Sequence, residues 1–180
     1  MSESAPVVAE TERLRLRGFA AQDLAALVRI FGDPEVMRYI GLGGTRAPEA
    51  ARRTLERCAA DARTEPFAIW SVERREAPGF IGWCGLAHVP DDERIEVAYL
   101  IDKPYWGRGY ATEAARAALS FAFERANLDE IIALARAPNV ASINVMRKLG
   151  MRDAGTGFFY GGEAVIHTLS AAEYFAARER

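Results

Sequence analysis

The stretch Lys103-Pro104-Tyr105-Trp106-Gly107-Arg108-Gly109-Tyr110-Ala111-Thr112 decides how this chain is read. Before it, Ile95 to Ile101 is apolar and strand-like. After it, Glu113 to Arg125 sets Ala115, Ala118, Leu119 and Ala122 on one helical stripe. The stretch is therefore a turn from a buried strand into a helix N-terminus. Gly107 and Gly109 remove side chains where ligand atoms would approach the main chain. The first amides of the helix have no intrahelical acceptor, and the helix dipole adds partial positive charge. A pyrophosphate fits such a cradle, and Arg108 adds a charge contact. A tight corner with no ligand explains the two glycines equally well on their own. The chain has no Gly-Lys-Ser/Thr and no third spaced glycine, which excludes a nucleotide P-loop and a dinucleotide fingerprint here.

Working outward, Leu14 and Leu16 alternate with Arg13, Arg15 and Arg17 as in a half-buried strand. Gln22-Asp23 opens a helix carrying Leu24, Leu27, Val28 and Phe31, which Asp33-Pro34 is expected to break. Gly41, Gly43 and Gly44 mark a loop, and Pro48 starts a second helix. Phe67 to Val72, Phe80 to Leu86 and Ile95 to Ile101 read as three antiparallel strands. Asp129 to Ala135 is a strand and Asn139 to Leu149 a helix stopped by Gly150. Two closing strands, Met151 to Phe159 and Ala164 to Leu169, are joined by a Gly161-Gly162 turn. Ser170 and Glu173 form a capping box for a final helix. This order predicts an α+β domain with helices on both sides of one mixed, mostly antiparallel sheet. Residues 1–10 are expected to be a mobile arm and 11–180 a single domain.

Composition narrows the function classes. Half of the 180 residues are hydrophobic, and the net charge of −2 is spread evenly, with no basic face for nucleic acid. Cys58 and Cys84 stand alone, which argues against a disulfide framework or a metal site. Met1 to Glu10 lacks the basic and apolar runs of a secretory leader, and no stretch is apolar enough to span a membrane. The expected compartment is the cytoplasm.

A second piece follows the strand that ends near Ala135. It reads Asn139-x-x-Ser142-x-x-Val145-x-x-Lys148-x-Gly150-Met151, with Asn139 at the N-cap and Ser142 in the first helical turn. Taken with Trp106-x-x-Gly109-x-Ala111, this chain resembles the GNAT superfamily of N-acetyltransferases. The longer string from Tyr105 to Ala114, with Glu12 to Arg17 and His167 to Ser170, resembles its RimJ/RimL-type branch. The resemblance covers about residues 10–175. It implies a GNAT-like fold whose central sheet splays at an acetyl-coenzyme A site. It also implies that Leu100 and Ile101 pair through their main chain with the pantetheine arm. The amides of Trp106, Gly107, Arg108, Gly109, Tyr110, Ala111 and Thr112 would hold the pyrophosphate, and Asn139 and Ser142 would face the pantetheine and the thioester.

Acetyl transfer to an amine needs a neutral nucleophile, a stabilised oxyanion and a proton or hydrogen bond for the departing thiolate. Glu96, on the central strand, is the candidate base; a salt bridge or a solvated carboxylate is the plainer account of it. The resemblance implies a strand amide near Tyr99 or Leu100 as the oxyanion donor. Many relatives in the family place a Tyr four residues after Ser142, but here that position is Met146, which cannot donate a proton. Ser142 is the remaining hydroxyl, although a serine at a helix start also caps amides. The resemblance thus implies an N-acetyltransferase that uses acetyl-coenzyme A and no metal. Its acceptor would be a peptide N-terminus or a small-molecule amine, and the protein a monomer or homodimer. Met146 leaves open a coenzyme A-binding sensor of the same fold with weak or no turnover.

Overall fold

The computed structural model describes residues 5–179. Its centre is one eight-stranded sheet in the order β1-β2-β3-β4-β5-β6-β8-β7. The strands are β1 (Val7–Glu10), β2 (Leu14–Arg17), β3 (Ile69–Arg74), β4 (Phe80–His88), β5 (Ile95–Ile101), β6 (Glu130–Ala135), β7 (Arg152–Phe159) and β8 (Gly162–Ser170). Neighbours pair antiparallel throughout, except that β5 and β6 run parallel. The helices are α1 (Leu24–Phe31), α2 (Pro34–Met37), α3 (Pro48–Thr64), α4 (Tyr110–Glu124), α5 (Val140–Lys148) and α6 (Ala171–Arg178).

The sheet separates two apolar layers. On one face Leu27, Ile30 and Phe31 of α1 and Ala51 and Cys58 of α3 pack over Phe80 and Leu100. On the other, Ala114, Ala115, Ala118, Leu119 and Ala122 of α4 pack over Val72, Val97 and Ile101. The alanine stripe lets α4 lie close to the sheet, and burial of such surface at about 25 cal/mol per Å² is the main force joining the layers. The alternation along β5 thereby assigns even-numbered residues to the α1/α3 face and odd-numbered ones to the α4 face.

Three expectations are corrected and one is met. Val7–Glu10 is a strand paired with β2, where a mobile arm was expected; residues 1–4 of that arm lie outside the described residues. The break at Asp33-Pro34 forms as expected: α1 ends at Phe31, and Pro34 starts the short turn α2, where the Asp33 carboxylate accepts from the Glu35 amide at 2.8 Å and proline suits the first helical position. The β7–β8 turn is Tyr160-Gly161, one residue earlier than the two glycines suggest, because Phe159 pairs with Gly162. Arg17 is buried, not surface-facing. Its guanidinium clasps both Asp23 oxygens at 2.8 Å and reaches Glu73 at 3.0 Å.

Candidate active site

The sheet is closed on one side of β5 and open on the other. β4 pairs along all of β5, from Gly82↔Ile101 to His88↔Ile95. β6 meets β5 only at Glu96↔Ile132, so the two strands part beyond Glu96. Asp102 N donates to Ile81 O at 2.8 Å and Val89 N to Arg94 O at 3.0 Å. Antiparallel ladders bond alternate residues, so the main-chain groups of Glu96, Ala98 and Leu100 point to β4, and those of Val97, Tyr99 and Ile101 point into the gap. Leu100, expected to offer its main chain to a pantetheine arm, is therefore turned to β4, and the open edge belongs to Tyr99 and Ile101. The Ile101 carbonyl accepts the Trp106 indole N–H at 2.6 Å, which ties the end of β5 to the following turn.

That turn delivers the cradle. Gly107 and Gly109 both sit in the left-handed region, at φ +73° and +81°, where a side chain is strained. Gly109 is the N-cap of α4, and Glu113 N is the first amide of the helix to be bonded, to Gly109 O at 3.0 Å. Among the described residues, no protein acceptor takes the amides of Gly107, Arg108, Gly109, Tyr110, Ala111 or Thr112. Trp106 N, by contrast, is bonded to Lys103 O at 3.1 Å, so the free row starts one residue later than expected. Arg13 braces the turn: it donates to Arg108 O at 3.0 Å, pairs with Glu113 and lies over the Tyr110 ring. A cavity of about 590 Å³ opens beside it, lined by Gly109, Thr112, Arg13, Arg116 and Lys148 and also by the carboxylates Glu12 and Glu113, the latter paired with Arg13. These unpaired amides, with cations beside them, suit a diphosphate.

At the head of α5 the Asn139 side chain accepts from Ser142 N at 3.3 Å and caps the helix. Ser142 Oγ lies 3.0 Å from the Tyr99 hydroxyl, which also donates to Ser142 O at 3.1 Å. Burial pushes the Tyr99 phenol well above its ordinary pKa, so it stays protonated. Sequence reasoning points to the Tyr99 amide but not to its hydroxyl, which is a further functional candidate. The one available signal was parity: an odd position on β5 faces α4 and α5.

Glu96 projects from the opposite face. It is 6% exposed, and burial raises its pKa to about 7, against which a hydrogen bond from the Tyr160 hydroxyl acts. Neither the expected salt bridge nor solvation describes it. Of the two histidines, His167 is buried on β8, and the exposed His88 ring packs at a tilt on Phe67 with centroids 5.1 Å apart.

The sheet thus opens beyond one parallel pair, with a row of free amides at its mouth and a buried carboxyl and a buried phenol on opposite faces of the same strand. The chain belongs to the GNAT acetyltransferase family: the model of the acetyltransferase (GNAT) domain matches residues 13–152. It is 32% identical over 149 residues to the uncharacterized N-acetyltransferase YoaA of Bacillus subtilis, covering 82% of this chain and 84% of that protein. It is 31% identical over 169 residues to FsC-acetyl coenzyme A-N(2)-transacetylase of Aspergillus fumigatus, covering 88% and 70%. Among solved structures, an acetyltransferase from Agrobacterium tumefaciens aligns with a TM-score of 0.80 at 25% identity, over 94% of this chain and 96% of that one. RimJ of Mycobacterium smegmatis, in complex with a coenzyme A disulfide, shares the fold at a TM-score of 0.73 and 21% identity, over 93% and 90%. The protein is thus an acetyl-coenzyme A-dependent acyltransferase with the GNAT fold.

Proposed function

We propose that this enzyme acetylates a primary amine, on a peptide N-terminus or a small molecule, with Glu96 as base and the Tyr99–Ser142 hydroxyl pair as proton donor. The observation that carries this reading is the placement of the two groups on opposite faces of β5, beside the stretch past Glu96 where, among the described residues, no strand pairs with β5 on its β6 side. A donor and an acceptor entering from opposite faces meet there.

Acetyl-coenzyme A, when bound, supplies the acyl thioester. The residues present fit it: the amides from Gly107 to Thr112 suit the diphosphate, Arg116 and Lys148 lie beside them for further phosphate, and the main chain of Tyr99 and the N–H of Ile101 face the gap. A base with a pKa near the working pH takes a proton most effectively, and Glu96 at about 7 meets that condition. The buried Tyr99 phenol keeps its proton until one is needed at Ser142. Tyr99 thus brings to α5 the hydroxyl that Met146 lacks, and the sensor alternative loses its support. An N-acceptor agrees with the Aspergillus relative, which is named for transfer from acetyl coenzyme A to an N(2) position.

The test is thiol release from acetyl-coenzyme A against a panel of aminoacyl peptides, polyamines and amino sugars. At least one amine should turn over, and Glu96→Gln should lower kcat roughly 100-fold or more. Coenzyme A binding with no release across the panel would overturn the reading.

A further inference from the structure

We propose that Tyr160 is the positioning residue of Glu96, held in place by Arg136; this rests on Glu96 being the base. Tyr160 and Gly161 have φ of +50° and +79°, the pattern of a two-residue type I′ turn. Such turns call for Asn, Asp or Gly at the first position, and a Tyr there costs on the order of 1 kcal/mol. A residue kept where the backbone disfavours it points to a task for its side chain. Here the side chain spans the gap from the β7–β8 turn to β5 and donates its hydroxyl proton to Glu96 Oε1.

Several contacts fix the turn. Arg136, just past the end of β6, donates to Tyr160 O at 2.9 Å, to Glu163 O at 2.9 Å and to Gly41 O at 2.8 Å. One guanidinium therefore joins the hairpin, the β6–α5 connection and the glycine loop after α2. Leu42 of that loop lies against Gly161, where an added Cβ would fall 2.5 Å from Leu42 Cδ2. The turn cannot shift without moving this loop.

The ladder partners of Glu96 on both sides are apolar. Ala87 on β4 and Ile132 on β6 flank it in the ladder. Arg57 of α3 acts on the Tyr160 phenol, and Arg94 lies over the Phe159 ring. Tyr160 thus supplies the polar contact that favours the ionised carboxylate. It occupies Oε1 and leaves Oε2 without a hydrogen-bond partner among the described residues. One oxygen is anchored and the other is presented to the acceptor.

The experiment follows the Glu96 side-chain carboxyl by carbon-13 NMR through a pH titration of the full chain. Glu96→Gln assigns the signal, and the acidic limb of thiol release is recorded alongside. A hydrogen bond to a charged group is worth about 1.5–3 kcal/mol, part of which water replaces at this half-exposed turn. Tyr160→Phe should therefore raise the midpoint and the acidic limb together by about one pH unit. An unmoved midpoint would overturn the proposal, as would a raised midpoint with an unmoved limb. If Glu96→Gln turned over at the wild-type rate, the base assignment itself would fall, a result separable from the NMR midpoint.

Discussion

The Tyr99 hydroxyl lies 3.0 Å from Ser142 Oγ, joining the open strand β5 to the first turn of α5 across 43 residues of sequence. If this pair serves the departing sulfur, removing the phenol should slow chemistry more than binding. Tyr99→Phe is expected to lower kcat roughly 100-fold, with little change in the affinity for coenzyme A. Steady-state kinetics with a calorimetric titration separate the two. A raised KM at unchanged kcat would assign Tyr99 to binding alone.

Glu96 also links activity to stability. Its folded pKa, about 7, lies above the ordinary value of 4.5 because burial penalises the charged form. A raised carboxyl favours folding below its unfolded pKa, and that contribution fades as pH rises through the folded value. Between about pH 4.5 and 7 the loss is on the order of 3 kcal/mol. Glu96→Gln, which never ionises, should therefore gain Tm relative to wild type as the pH rises from 5 to 8. Thermal melts at both pH values check this; a constant difference would contradict the assigned environment.

Arg17 tests a purely structural part of the account. Both its carboxylate partners, Asp23 and Glu73, are at least nine-tenths buried. Removing the guanidinium leaves buried charge uncompensated, which costs about 3–5 kcal/mol. Arg17→Met should lower the urea midpoint by that equivalent. Replacing all three residues with apolar ones should recover much of the loss.

These residues also show how far the sequence could be read. The Asn139 cap, the place of Ser142 in the first turn of α5 and the free amides from Gly107 to Thr112 are legible because each is local geometry: a cap, a glycine turn, a helix start. The same held for the Ser170–Glu173 capping box, which forms as expected. Contacts distant in sequence were not legible. The alternation in Arg13 to Arg17 marks a strand but does not show that Arg17 meets two carboxylates inside the protein. Tyr99 was passed over because its partner is set by which face of β5 it occupies. Tyr160 was displaced from the turn by glycines that satisfy the local rule better than it does.

Gly109 offers a binding test with a folding control. Its left-handed φ of +81° strains any side chain, but an added Cβ meets only Arg13 Nη2, at 3.5 Å. Gly109→Trp should leave a folded domain, destabilised by about 1–2 kcal/mol, that no longer binds coenzyme A. Circular dichroism and calorimetry read the two outcomes; unchanged affinity would count against the cradle.

The claim on which the rest depends is that the amides from Gly107 to Thr112 hold the diphosphate of coenzyme A. Amide hydrogen exchange, resolved by residue with and without saturating coenzyme A, tests it most directly. The account predicts that these six amides, for which the described residues supply no acceptor, become protected on binding by at least an order of magnitude, together with Tyr99 and Ile101. If coenzyme A saturates the protein while those amides exchange as fast as before, the site is elsewhere and the account is wrong.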